Sequence, residues 1–153
     1  MMQIPIREIM TTNVITVPGT MPVNDVARLL DEKRITGLPV VDERGHVIGV
    51  LSEFDIISRQ GGTAADIMSP QVISVTEETD AEEVAQLLTN RRIRRVPVLA
   101  GGRLVGIVSR SDLVRLFMLT RWVCEVCGYF ERGFERPARC ASCGAERVVL
   151  RRE

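Results

Sequence analysis

The chain has 153 residues and a mass of 17.1 kDa, room for one large domain or two small ones, with 45% hydrophobic and 26% charged residues. That balance excludes a disordered chain, and no apolar run approaches the ~18 residues of a membrane-spanning helix. Twenty basic and twenty acidic side chains cancel, so no global field draws the molecule to nucleic acid or membrane. Arg7 and Glu8 stand where a signal peptide would be apolar, and the expected location is cytoplasmic.

In chain order, Val14–Val17 is a short β-branched run that predicts a strand. Pro22 suits the first turn of a helix carrying Val26, Ala27, Leu29 and Leu30 on one face. Leu38–Val41, a polar turn at Asp42–Gly45 and Val47–Leu51 read as a β-hairpin, with His46 an exposed turn residue, and Ser52 opens a second helix. The order then recurs. Val72–Val75 predicts a strand, and Thr79 with Glu82 fits a capping box ahead of Val84, Ala85, Leu87 and Leu88. Val96–Leu99 and Leu104–Val108 form a second hairpin, and Ser109 opens the last helix.

An offset of 58 pairs Ile9-Met10 with Ile67-Met68, Val26-Ala27 with Val84-Ala85, Arg34-Ile35 with Arg92-Ile93, and Pro39-Val40 with Pro97-Val98. After one deletion in the turn, an offset of 57 pairs Gly49, Ser52 and Asp55 with Gly106, Ser109 and Asp112. The chain is therefore a two-copy repeat, each copy β-α-β-β-α, and the expected fold is a pseudo-twofold α/β module with a cleft between the copies.

These residues resemble paired cystathionine-β-synthase (CBS) domains, the tandem called a Bateman module, over residues 6–60 and 64–119, about three quarters of the chain. The resemblance is carried by Glu8-Ile9-Met10-Thr11 and Asp66-Ile67-Met68-Ser69, by the 35–40 and 93–98 segments, and by two Gly-x-x-Ser-x-x-Asp runs, 49–55 and 106–112. A carboxylate can accept from both vicinal hydroxyls of a ribose, and a hydroxyl at a helix start suits phosphate. The resemblance implies a ribose role for Asp55 and Asp112 and a phosphate role for Ser52 and Ser109. It also implies that backbone around Thr16 and Gly37, Leu38 and Pro39 meets adenine in a first site, with Ser74 and Arg95, Val96 and Pro97 as counterparts in a second. Ser-x-x-Asp is equally a plain capping box, and the two roles are compatible.

Arg91, Arg92, Arg94 and Arg95 form the densest charge cluster. They read either as a solvated helix C-terminus or as arginines that reach ligand phosphates and favour a more phosphorylated ligand in the second half.

Cys124-x-x-Cys127 and Cys140-x-x-Cys143, twelve residues apart, have the spacing of a tetrathiolate metal site, with Gly128 and Gly144 free to take φ > 0 after each pair. Disulfides are the competing reading, disfavoured in a cytoplasmic chain. The segment 121–153 resembles rubredoxin-like zinc ribbons. Zinc is the expected metal, with iron as the alternative, and four protein ligands leave no open position for hydrolysis.

The expected function is that of a regulatory, signal-transducing module, not an enzyme. An adenosine nucleotide of the AMP, ADP or ATP type would bind between the repeats, and a protein partner in trans, itself unidentified, would read the state through the ribbon. A homodimer is implied by the resemblance. Nucleic-acid binding through the ribbon is a second reading, weakened because its seven arginines interleave with glutamates. Electron transfer by an iron-loaded ribbon is a third. Catalysis lacks material: His46 is the lone histidine and no Walker-type Gly-x-x-x-x-Gly-Lys occurs.

Overall fold

The structure is a computed structural model that describes residues 2–70 and 73–153. It has the expected mixed α/β architecture, with two sheets for the repeats and a third, small sheet at the C-terminus. The first repeat runs β1 (Val17–Pro18), α1 (Val23–Lys33), β2 (Gly37–Val41), β3 (Val47–Ser52) and α2 (Glu53–Ser58). A short helix, α3 (Ala64–Ile67), and strand β4 (Ser69–Pro70) follow. The second repeat runs β5 (Val75–Thr76), α4 (Ala81–Asn90), β6 (Arg95–Ala100), β7 (Arg103–Ser109) and α5 (Arg110–Leu119). The ribbon contributes β8 (Thr120–Cys124), β9 (Phe130–Glu131) and β10 (Val148–Arg152).

The chain gathers into two compact units that cross the repeat boundaries: residues 12–74 with 97–107, and residues 1–11 with 75–96 and 108–153. In the first, four strands lie in the order β1-β2-β3-β4. Val17 pairs in parallel with Val40, and the β2–β3 hairpin sets Gly37 opposite Ser52 and Leu38 opposite Leu51. Its core joins Val17, Val26, Leu30, Leu38, Val40, Leu51, Ala64 and Ile67, so one face of α1 and alternate positions of the strands close on one another. The second repeat's sheet has the order β5-β6-β7.

In the other unit, the N-terminal segment is fixed to the start of α4. The Ile6 N–H donates to the Thr79 carbonyl at 2.8 Å, and the Met2 and Ile4 N–H groups donate to the Asp80 carboxylate at 3.3 and 3.0 Å. Asp80 is the N-cap of α4, accepting from the Glu82 N–H at 3.1 Å. This corrects the expected cap at Thr79, whose hydroxyl instead accepts from the Thr76 N–H in the turn before the helix. The predicted strand Val14–Val17 shortens to Val17–Pro18 because only Val17 and its successor meet a partner in β2. Of the predicted Val72–Val75 strand, Val72 lies outside the described residues, and β5 starts at Val75. Among the described residues no helix is long and apolar enough to cross a membrane.

Candidate functional site

Each repeat ends in the same construction. Ser52 is extended (φ −121°, ψ 169°) and caps α2; its N–H and hydroxyl donate to Asp55 Oδ2 at 2.8 and 3.1 Å. Ser109 (φ −115°, ψ 170°) caps α5 in the same way, its N–H and hydroxyl lying 2.9 and 3.1 Å from Asp112 Oδ2. Both aspartates are 4% exposed. In each, Oδ2 closes the capping box, and Oδ1 faces other groups. Asp55 Oδ1 lies 3.6 Å from Arg59 Nε. Asp112 Oδ1 lies 3.5 Å from an Arg115 nitrogen and accepts from the Thr11 hydroxyl at 3.3 Å.

The glycine that opens the motif has a steric reason. A Cβ at Gly49 would stand 2.4 Å from Met68 Sδ and 2.8 Å from the Ser69 carbonyl oxygen, so β4 can pair with β3 only across a glycine.

Thr16 lines a cleft of about 370 Å³ with Asn13, Val14, Val41, Gly45, Leu104 and Val105. Gly37 is brought to the Ser52 cap by hairpin register, whereas Leu38 and Pro39 are buried in the sheet, so only their backbone is available to a ligand. Val96 and Pro97 are buried in the same way, Arg95 is half-buried and Ser74 is exposed. Gly37, Leu38, Pro39, Ser52 and Asp55 are not part of the Thr16 cleft lining. The sequence assigns Thr11, Asn13 and Leu104 no site role, although Thr11 and Leu104 stand in segments it marks. For Thr11 a signal existed: the offset of 58 sets it opposite Ser69, a hydroxyl in each repeat.

Of the arginine run, Arg91 is the C-cap of α4, and Arg92 takes the left-handed conformation (φ 53°) that turns the chain toward β6. The Arg94 carbonyl accepts from the Arg110 N–H at 3.1 Å, tying that turn to the start of α5. His46 is an exposed turn residue, its Nδ1 3.7 Å from the Asp42 carboxylate.

The ribbon brings its four cysteines to one point, all four sulfurs within 4.8 Å of one another. Cys124 Sγ lies 3.7 Å from Cys143 Sγ, and Cys127 Sγ lies 3.6 Å from Cys140 Sγ. A tetrahedron with metal–sulfur bonds of about 2.3 Å has edges of about 3.8 Å, so these distances fit a tetrathiolate ion and are far longer than the roughly 2.05 Å of a disulfide. Gly128 (φ 81°) and Gly144 (φ 78°) take the expected left-handed turn after each pair.

Backbone donors converge on the sulfurs: the Val126 N–H on Cys124, and the Ser142 and Cys143 N–H groups on Cys140, at 3.4 to 3.5 Å. Without a metal, the N–H of Cys127, against desolvation and aided by that of Val126, draws the Cys124 thiol down to about 6. Cys143 receives the Ala145 N–H, which favours its thiolate, but the crowding sulfurs of Cys127, Cys124 and Cys140 together with desolvation push it up to about 12. Four negative sulfurs so close together need a cation to share. Zinc or iron in this place would be held by Cys124, Cys127, Cys140 and Cys143.

The site and fold define a tandem α/β repeat with a tetrathiolate ribbon appended. Residues 6–62 and 64–119 each match the CBS domain, and the chain belongs to that family. Residues 122–148 match the rubrerythrin, rubredoxin-like domain. The CBS domain-containing protein YhcV of Bacillus subtilis is 32% identical over 115 residues, 71% of this chain and 81% of its own length. Chloroplastic CBSX2 of Arabidopsis thaliana is 29% identical over 138 residues, 67% of this chain and 58% of its own length. Relative to three of its curated relatives the chain spans only 42% to 58% of their length. The crystal structure of CBSX2 in complex with AMP superposes with a TM-score of 0.71 at 32% identity, covering 74% of this chain and 96% of that one. The CBS domain pair of protein MJ0100 in complex with 5-methylthioadenosine and S-adenosyl-L-methionine gives a TM-score of 0.70 at 30% identity, over 75% of this chain and 96% of that one.

Proposed function

We propose that the chain is an adenosine-nucleotide-sensing regulatory protein. In this reading the repeats 6–60 and 64–119 bind an AMP-, ADP- or ATP-type ligand, and the ribbon 121–153 carries the signal to a protein partner in trans. The observation that carries it is the twice-built Ser-x-x-Asp cap: a buried carboxylate at the head of the last helix in each repeat, with Oδ2 held and Oδ1 directed elsewhere. A ribose hydroxyl pair would engage Oδ1 of Asp55 or Asp112, displacing Arg59 or Thr11 and Arg115 as partners. Ser52 and Ser109 would reach phosphate, and Thr16 with backbone at 37–39, or Ser74 with backbone at 95–97, would meet the base. The relatives solved with AMP and with S-adenosyl-L-methionine support this ligand class.

The ribbon is read as a zinc site that stabilises its own fold, with iron the alternative; a visible absorption band in freshly purified protein would mark iron. Reduced cysteines at this spacing suit a cytoplasmic location. The nucleic-acid reading loses ground here. Arg139, Arg147 and Arg151 are ion-paired with Glu146 and Glu125, and Arg121 and Arg132 with Glu153, so five of the ribbon's seven arginines are engaged by its own acidic side chains. A homodimer is proposed as the assembled state.

The test is calorimetric titration of the zinc-loaded chain with AMP, ADP, ATP and S-adenosyl-L-methionine, repeated with Asp55→Asn and Asp112→Asn. The expected result is binding by an adenosine ligand that each variant weakens at one site. Absence of heat with all four ligands at two temperatures would sink the reading and leave the repeats a scaffold.

A further inference from the structure

We propose that the metal ribbon is an input to the Asp112 site: metal bound by the four cysteines tightens ligand binding there, and ligand bound there tightens the metal. This rests on the reading of Asp112 as a ligand residue.

The connection runs through α5 and the N-terminal segment. At its C-terminus α5 leaves carbonyls without helical partners, and the ribbon supplies one. Arg132 Nη1 lies 3.0 Å from the Met118 carbonyl oxygen, 2.9 Å from that of Thr120 and 3.5 Å from that of Phe117. The helix passes into β8 without a linker, with Phe117 and Phe134 ring centroids 5.9 Å apart. At its N-terminus the same helix carries Ser109 and Asp112.

A second path starts at the ribbon's last strand. Arg152 grips the Glu8 carboxylate at 3.0 and 3.4 Å, and three residues beyond Glu8 the Thr11 hydroxyl donates to Asp112 Oδ1. Ribbon residues therefore hold both the helix that presents Asp112 and the segment that sets Thr11 beside it. The helix tie keeps the carboxylate placed for ligand and sets the sign of the coupling, outweighing the single Thr11 hydrogen bond that ligand displaces. The Asp55 construction has no such tie among the described contacts; its Oδ1 faces Arg59, which donates to the Met68 carbonyl of the same compact unit. Metal removal frees β8–β10, whose order depends on the four thiolates, and so releases Arg132 and Arg152 together.

The experiment uses the full chain, zinc-loaded and chelator-stripped, titrated with AMP, with hydrogen exchange followed at the Ser109 and Asp112 amides. Stripping zinc is expected to weaken the site that Asp112→Asn removes by about tenfold and to leave the site that Asp55→Asn removes unchanged. AMP should tighten zinc, read by chelator competition, by the same factor, because linkage is reciprocal. If stripping unfolds the chain, the zinc-loaded variant Arg132→Met, which removes the tie to the end of α5, must show the same selective loss. Equal AMP affinity with and without zinc, and in that variant, overturns the coupling while the sensor reading stands. If AMP binds neither form, ADP, ATP and S-adenosyl-L-methionine are titrated in the same way, and the sensor reading fails by itself only when none of them binds. The coupling is then decided by exchange, and unchanged protection at Ser109 and Asp112 after zinc removal overturns it.

Discussion

Asp80 does the work of three hydrogen-bond acceptors with one buried carboxylate, taking the N–H of Glu82 at the start of α4 and those of Met2 and Ile4 from the chain terminus. Asp80→Ala removes a helix cap worth about 1 kcal/mol and strands two N–H groups at about 1 kcal/mol or more each. A loss of about 2–4 kcal/mol in chemical denaturation is expected; a loss near zero would mean that the N-terminal segment adds nothing to stability. Gly49→Ala places a methyl group against the Ser69 carbonyl, which belongs to the backbone and cannot rotate away. It should cost about 1–3 kcal/mol and loosen β4, seen as faster exchange of the amides paired across β3–β4. The two residues differ in how much the sequence revealed. Gly49 was visible as part of a duplicated motif, although its reason was not. Asp80 is not distinguished from Thr79 by the sequence, because both are good caps one position apart and the choice is made by the N-terminal segment, some 76 residues away in the chain.

At the level of elements, the ribbon shows what spacing can and cannot convey. Two Cys-x-x-Cys pairs read directly as four ligands because each knuckle is local, and the sulfurs do converge. The docking of the ribbon was not legible, since Arg132 reaching the end of α5 and Arg152 reaching Glu8 depend on where three strands fall in space. Cys124→Ser should release the β8–β10 sheet, lose zinc, and leave the 12–74 and 97–107 unit with its circular dichroism and exchange protection intact; melting of that unit as well would make the ribbon integral to the whole fold. The thiols also set a pH dependence. Binding a metal requires every sulfur deprotonated, and the metal-free Cys143 holds its proton up to about 12, whereas Cys124 has released its own above about 6. Zinc binding at neutral pH therefore expels protons, and the apparent affinity falls as pH drops. Chelator competition between about pH 6 and 8, corrected for the chelator's own titration, should show that direction, and an affinity independent of pH would mean that the metal-free thiols are already ionised in that range.

For the whole molecule, the repeat made the fold class and both hairpins legible, because a duplicated pattern of strand, helix, hairpin and helix leaves few topologies; strand β4, which completes the first sheet, carries no such pattern. The compact units were not legible. The N-terminal segment joins the second repeat's helices through Ile6 and Asp80, and β-hairpin residues 97–107 fall in the other unit, pairings that local periodicity does not encode. The repeat also speaks to assembly. Ile57 on α2 and Val114 on α5 are counterparts at the offset of 57, and both remain exposed, at 84% and 62%. Phe54 adds to the first at 69% exposure and Met118 to the second at 54%. An apolar side chain kept at the same outward position in both copies is what a shared contact between two chains requires, since a single copy gains nothing from exposing it. Burying each such side chain contributes roughly 1.5–3 kcal/mol, so a charge at one position should raise the dimer dissociation constant by about ten- to a hundredfold. Ile57→Glu and Val114→Glu should each weaken the proposed dimer by that amount, and the double variant should be a monomer at micromolar concentration by light scattering, with unchanged circular dichroism. A wild-type chain that is already monomeric, or a double variant that stays dimeric, would remove these two helices from the assembly.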